Sequence, residues 1–175
     1  MLSVNQPAPQ FSLSAVENGK RRTISLKDLK GKWVVLFFYP KDFTFICPTE
    51  VLGFHAQHES FRKEGAVILG ASVDAVETHL AWAEELGGIA YPLLSDPDCT
   101  VCRTYGVLDP KENVALRTTF IMSPEGIIVY AITSHMNVGR SVEETLRVLR
   151  ALKTQKLCPA DWQPGEETFD PTLKF

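Results

Sequence analysis

An α/β three-layer domain with a mixed sheet is the fold class predicted by three observations. Trp33-Val34-Val35-Leu36-Phe37-Phe38-Tyr39 and Ala66-Val67-Ile68-Leu69-Gly70-Ala71 are continuous apolar runs of strand length, which suit strands covered on both faces. Stretches of helical spacing alternate with them. A hairpin pattern over 118–132 and an amphipathic helix over 142–152 then follow, which adds antiparallel pairing to a parallel core.

The elements follow in order. Residues 1–31 are rich in turn formers around Phe11-Ser12-Leu13-Ser14, and Asn18-Gly19 is a strong turn signal, so this part reads as a β-hairpin with a short helical turn at 26–29. Helical spacing runs from Pro48 to about Phe61, through Val51, Phe54, His55 and His58. Asp74 is placed to cap a helix through His79 and Trp82 to Leu86, stopped by Gly87-Gly88. Residues 92–94 form a short strand, and Ser95-Asp96-Pro97-Asp98 opens a helix carrying Cys99 and Cys102. Ser123-Pro124-Glu125-Gly126 suits the tight turn between strands 118–122 and 127–132. The organisation read from this is a domain over 1–155 and a proline-punctuated arm over 156–175, which drapes over this subunit or a neighbour.

At 175 residues, with 45% hydrophobic and 22% charged content, the chain can build a substantial core. Its net charge of −3 comes from interspersed signs without a basic stripe, which argues against a nucleic-acid partner. The N-terminus lacks a signal-peptide pattern and no run approaches a membrane span, so a soluble, cytoplasmic protein with no membrane partner is expected. Four cysteines in that setting read as catalytic, redox or metal-binding thiols rather than structural staples.

Cys47 stands out because it follows the first apolar run and directly precedes Pro48, where strand gives way to helix. A thiol reacts as its thiolate, and an ordinary cysteine is only about 3% ionised at pH 7, so a reactive one needs its anion stabilised. A guanidinium and helix-terminal amides can do this. Two helix registers are open. With Cys47 as N-cap, Pro48 takes the favoured first helical position and Glu50 resembles the acid of a capping box. With Thr44 as cap, Pro48 deletes a helical amide and the turn is weakly held, which suits a thiol that must later meet another cysteine.

The run Phe37 to Glu50 resembles the peroxidatic motif of the peroxiredoxins, in the typical 2-Cys group that includes alkyl hydroperoxide reductase C. Thr78-His79-Leu80-Ala81-Trp82, Arg117-Thr118-Thr119-Phe120, Val138-Gly139-Arg140-Ser141 and Cys158-Pro159-Ala160-Asp161-Trp162 extend the resemblance over nearly the whole chain. It implies a thioredoxin-like fold, with Cys47 as peroxidatic nucleophile, Thr44 as the hydroxyl that orients the peroxide, Pro40 as the shield over the pocket and Arg117 as the cation beside the sulfur. Glu50 and Arg140 would orient Arg117, although either could be an ordinary surface ion pair, and His79 reads as structural. Cys158 matches the resolving cysteine, which implies an intersubunit disulfide, a homodimer and assembly into a ring. Hydrogen peroxide and organic hydroperoxides would be substrates, and a thioredoxin-like or flavoprotein disulfide reductase the electron donor. No cofactor or metal is expected.

Cys99 and Cys102 depart from that pattern. They are open to reading as an accessory redox pair, half a zinc site or incidental thiols, and zinc is disfavoured for want of a second pair. Two rival activities remain: a thiol-disulfide oxidoreductase using Cys99 and Cys102, and a holdase chaperone that would not need Cys47.

Overall fold

A computed structural model of the chain describes residues 2–172, which divide into two compact units, 2–140 and 141–172. In the first unit the expected hairpin forms as β2 (Ser12–Glu17) and β3 (Lys20–Ser25), followed by a 3-10 turn at Leu26–Leu29. Asn18 and Gly19 both take positive φ, 50° and 70°, the turn geometry that an Asn-Gly pair allows. The two apolar runs form β4 (Trp33–Phe38) and β5 (Ala66–Ser72).

Between them, the single helix expected from Pro48 to Phe61 is two: α1 (Cys47–Ala56) and α2 (His58–Lys63). Gln57, at φ −95° and ψ 4°, leaves helical geometry and separates them. Next come α3 (Val76–Glu85), β6 (Leu93–Ser95), α4 (Thr100–Thr104), β9 (Arg117–Met122) and β10 (Ile127–Ser134). Three two-residue strands lacked a readable pattern in the sequence: β1 (Gln6–Pro7), β7 (Leu108–Asp109) and β8 (Val114–Ala115).

The main sheet runs β1-β10-β9-β4-β5-β6-β2-β3. It is mixed, since β4, β5 and β6 pair in parallel whereas β9 pairs antiparallel to β4. Successive side chains of β4 point to opposite faces, and the ring contacts identify the layers. Phe37 stacks on Phe54 of α1 at 4.2 Å, Phe54 meets Phe61 of α2, and Tyr39 lies against Trp82 of α3. On the other face Leu36 and Phe38 share a buried cluster with Val101 and Cys102 of α4 and with Tyr105. The unit is therefore helix, sheet, helix, as predicted.

One expected cap differs. Ala75, not Asp74, precedes α3, because the Asp74 carboxylate is taken up by the Asp42 amide and the Ser72 hydroxyl. At α4 the Asp96 carboxylate accepts the Val101 and Cys102 amides, while Cys99 holds the preceding position in left-handed geometry at φ 55°.

The second unit holds α5 (Val142–Thr154), where Ser141 accepts the Glu144 amide as the cap of a polar first turn. The following segment closes on itself: Leu157 and Phe169 exchange backbone hydrogen bonds, and Arg147 of α5 donates to the Trp162 carbonyl.

Candidate active site

The segment 39–46 carries the chain from the end of β4 to α1, and a buried polar network holds it in place. The Tyr39 hydroxyl donates to one oxygen of Asp42, His79 Nδ1 lies 2.7 Å from the other, and the Asp42 amide donates to Asp74. His79 Nε2 donates to the Leu94 carbonyl, so both ring nitrogens are engaged and the residue is structural, as its wholly buried position also requires. Burial raises the Asp42 carboxyl above its usual range, and its hydrogen bond and charge pairing with His79 oppose that rise. Phe43 takes a left-handed φ of 54° with its ring near Trp82. The Thr44 hydroxyl donates to the Lys41 carbonyl at 3.0 Å, and Pro40 is buried.

Cys47 is the first residue of α1 and is fully buried. The helix start lies between the two registers that the sequence allowed: Ile46 occupies the cap position without a side-chain cap, and its carbonyl accepts the Thr49 amide and the Thr49 hydroxyl. Thr44 is not the cap. Pro48 falls within the first turn, where its missing N–H would have had no helical partner, so it removes no hydrogen bond.

Arg117 reaches Cys47 because of sheet parity. Phe37 pairs with Thr119 across β4 and β9, so Thr119, and Arg117 two residues away, lie on the α1 face. Arg117 Nη1 is 3.4 Å from Cys47 Sγ and also donates to Glu50 Oε2 at 2.8 Å, while Nε donates to the Met136 carbonyl. Glu50 accepts three further bonds from Arg140, at its amide, Nε and Nη2, each at 2.8–2.9 Å. Arg140 also lies over the Phe37 ring and donates to Thr119.

Glu50 and Arg140 are therefore a buried ion pair and not surface decoration: only 2% of Glu50 is exposed. Burial alone would raise the Glu50 carboxyl, but the hydrogen bonds and charge of Arg140, with Arg117 adding, outweigh it and hold the group below its usual value near 4.5. Two guanidinium groups and one carboxylate leave positive charge in excess beside the sulfur, which favours an anion developing next to it.

The sequence did not single out the Met136 carbonyl, Thr119 or Gly139, although the last two lie in its motifs. A Cβ on Gly139 would meet Ile46 Cγ2 at 3.3 Å, so the residue lets its loop approach α1 closely.

Cys158 lies in the second unit, half-buried, with Thr154 Oγ1 at 3.4 Å and the Ala151 and Lys156 carbonyls within acceptor range. Cys99 and Cys102 are buried free thiols in the core. Burial, and then hydrogen bonding to Asp96, push the Cys102 thiol far above its usual value. It stays protonated at neutral pH, and a protonated thiol is a poor partner for exchange. No helix among the described residues is long and apolar enough to cross a membrane.

Comparison with known proteins agrees with this geometry. The AhpC/TSA family matches residues 4–131, and the C-terminal domain of 1-Cys peroxiredoxin matches residues 151–174. The chloroplastic 2-Cys peroxiredoxin BAS1 of Hordeum vulgare is 44% identical over 182 residues, covering 98% of this chain and 87% of the relative. The reduced 2-Cys peroxiredoxin of Plasmodium vivax superposes with a TM-score of 0.89 at 34% identity, over 94% of this chain and 91% of that one. AhpC of Enterococcus faecalis superposes with a TM-score of 0.86 at 36% identity, over 91% of this chain and all of its own. A thioredoxin-like sheet, a cysteine opening α1 with a guanidinium at its sulfur, and family identity along almost the whole length lead to one conclusion: the chain belongs to the AhpC/TSA family and is a peroxiredoxin, a thiol-dependent peroxidase.

Proposed function

We propose that the chain reduces hydrogen peroxide and organic hydroperoxides through a sulfenic acid on Cys47, and that Cys158 of a second subunit resolves it as an intersubunit disulfide. The observation that carries the reading is the Arg117 guanidinium at 3.4 Å from Cys47 Sγ, held there by Glu50 and the Met136 carbonyl. The Cys47 thiolate attacks one peroxide oxygen; the S–O bond forms, the O–O bond breaks, and the leaving oxygen departs as water or an alcohol after taking a proton. Arg117 stabilises the negative charge that moves onto that oxygen. The Thr44 hydroxyl, its proton committed to Lys41, keeps lone pairs to accept from the peroxide O–H, and Pro40 shields the sulfur from water.

Cys158 then attacks the sulfenic sulfur, forming S–S and releasing water. A thioredoxin-like or flavoprotein disulfide reductase returns both thiols. The names of the barley and Plasmodium relatives support the two-cysteine cycle, and by the same resemblance the chain works as a homodimer assembled into a ring, with 156–175 as the arm that delivers Cys158. Non-reducing gels after one equivalent of peroxide test this. A dimer band is expected for the wild type and for neither Cys47→Ser nor Cys158→Ser, and an unchanged band in Cys158→Ser would move the resolving role to another thiol.

A further inference from the structure

A hollow of about 260 Å³ lies at the end of the first unit opposite Cys47. It is lined by Val34 at the start of β4, whereas Cys47 follows the end of that strand. At about 3.3 Å per residue, the four steps of β4 from Val34 to its end already span about 13 Å, so the hollow is separate from the peroxide site. Val34, Leu26 and Met122 form an apolar floor, all buried within the core cluster. Lys27, Lys30 and Lys32 form its rim, exposed, and none of the three has an ion-pair partner among the described residues. The only carboxylate on the lining, Glu125, is engaged by the Ser123 hydroxyl.

Three unpaired ammonium groups around an apolar floor are complementary to a ligand with one anionic end and one apolar end. A bare inorganic anion would leave the floor unfilled, and a neutral lipid would leave the lysines unused. With about 30 Å³ for each water-sized group, the volume holds eight or nine such groups, the size of an eight-carbon chain whose headgroup stays at the rim. We propose that this hollow is a binding site for a medium-chain fatty carboxylate. Its chain lies on Leu26, Val34 and Met122, and its carboxylate lies among Lys27, Lys30 and Lys32.

Titration calorimetry on the full chain tests the proposal with octanoate, octan-1-ol and inorganic phosphate as probes. Octanoate is expected to bind saturably, one per chain, at millimolar or lower concentration, and more weakly as salt is raised. The exposed triple variant Lys27→Gln/Lys30→Gln/Lys32→Gln is expected to lose at least about tenfold in octanoate affinity, with its peroxidase rate unchanged as the control for folding. Octanol and phosphate are each expected to bind more weakly than octanoate. The proposal is overturned by an absence of saturable octanoate binding, by equal octanoate affinity in the triple variant, or by octanol or phosphate binding as tightly as octanoate.

Discussion

Replacing Glu50 by glutamine removes one negative charge from between two buried guanidinium groups. The Glu50 carboxylate accepts four hydrogen bonds, one from Arg117 and three from Arg140. A glutamine keeps one oxygen, which can accept two, and turns an N–H2 toward the remaining two donors. Losing two charge-assisted hydrogen bonds at about 1.5–3 kcal/mol each gives about 3–6 kcal/mol. That range overlaps the roughly 3–5 kcal/mol for uncovering a buried ion pair.

The pH dependence has a definite sign. Because folding lowers the Glu50 value below its usual 4.5, the stability it contributes is present above about pH 4.5 and is lost as pH falls through the folded value. Urea unfolding at fixed protein concentration, at pH 7 and near pH 3, should show the gap between wild type and Glu50→Gln narrowing in acid. Peroxidase kcat/KM should fall as well, since Arg117 loses the group that aims it at Cys47. A pH 7 difference under about 1 kcal/mol, or a gap that does not narrow in acid, would refute the reasoning.

Arg117→Ala should lower the rate of Cys47 oxidation by about a hundred- to a thousandfold in stopped-flow mixing with peroxide. Lysine should rescue it only in part, because it lacks the fork that reaches Glu50, Met136 and Cys47 together. Gly70→Ala would place a Cβ 2.9 Å from Phe37 Cζ and 3.0 Å from Leu93 Cδ2. A loss of about 1–3 kcal/mol in denaturant unfolding is expected from that overpacking, and no measurable loss would show that the α1 face can relax. Native alkylation at pH 7 followed by mass spectrometry should label Cys158 well before Cys102, given the burial of Cys102 and its contact with Asp96. Comparable rates would contradict the account of that thiol.

Much of this protein is local in its chain. The apolar runs of β4 and β5, the Asn18-Gly19 turn, the amphipathic α5 and the position of Cys47 before Pro48 follow from periodicity and from the conformational limits of glycine and proline, which neighbouring residues alone impose. Tertiary structure decided the features that depend on partners far along the chain. The Gln57 break between α1 and α2 has no proline or glycine to announce it. Asp74 reads as a cap from its neighbours, but its carboxylate faces Asp42 and Ser72 instead.

The same distinction governs the site. Sequence alone singled out Cys47 as a candidate reactive thiol and, through a family resemblance, pointed to Arg117 and Arg140, but it could not say whether Glu50 was a surface charge or the buried centre of the cluster. That depended on the pairing of β9 with β4, which turns Arg117 toward α1, and on the close approach of the Gly139 loop, which brings Arg140 over Phe37. Hydrogen bonds form only at contact distance and charge interactions weaken with separation, so the electrostatic setting of Cys47 exists only once residues 70 positions apart are packed side by side.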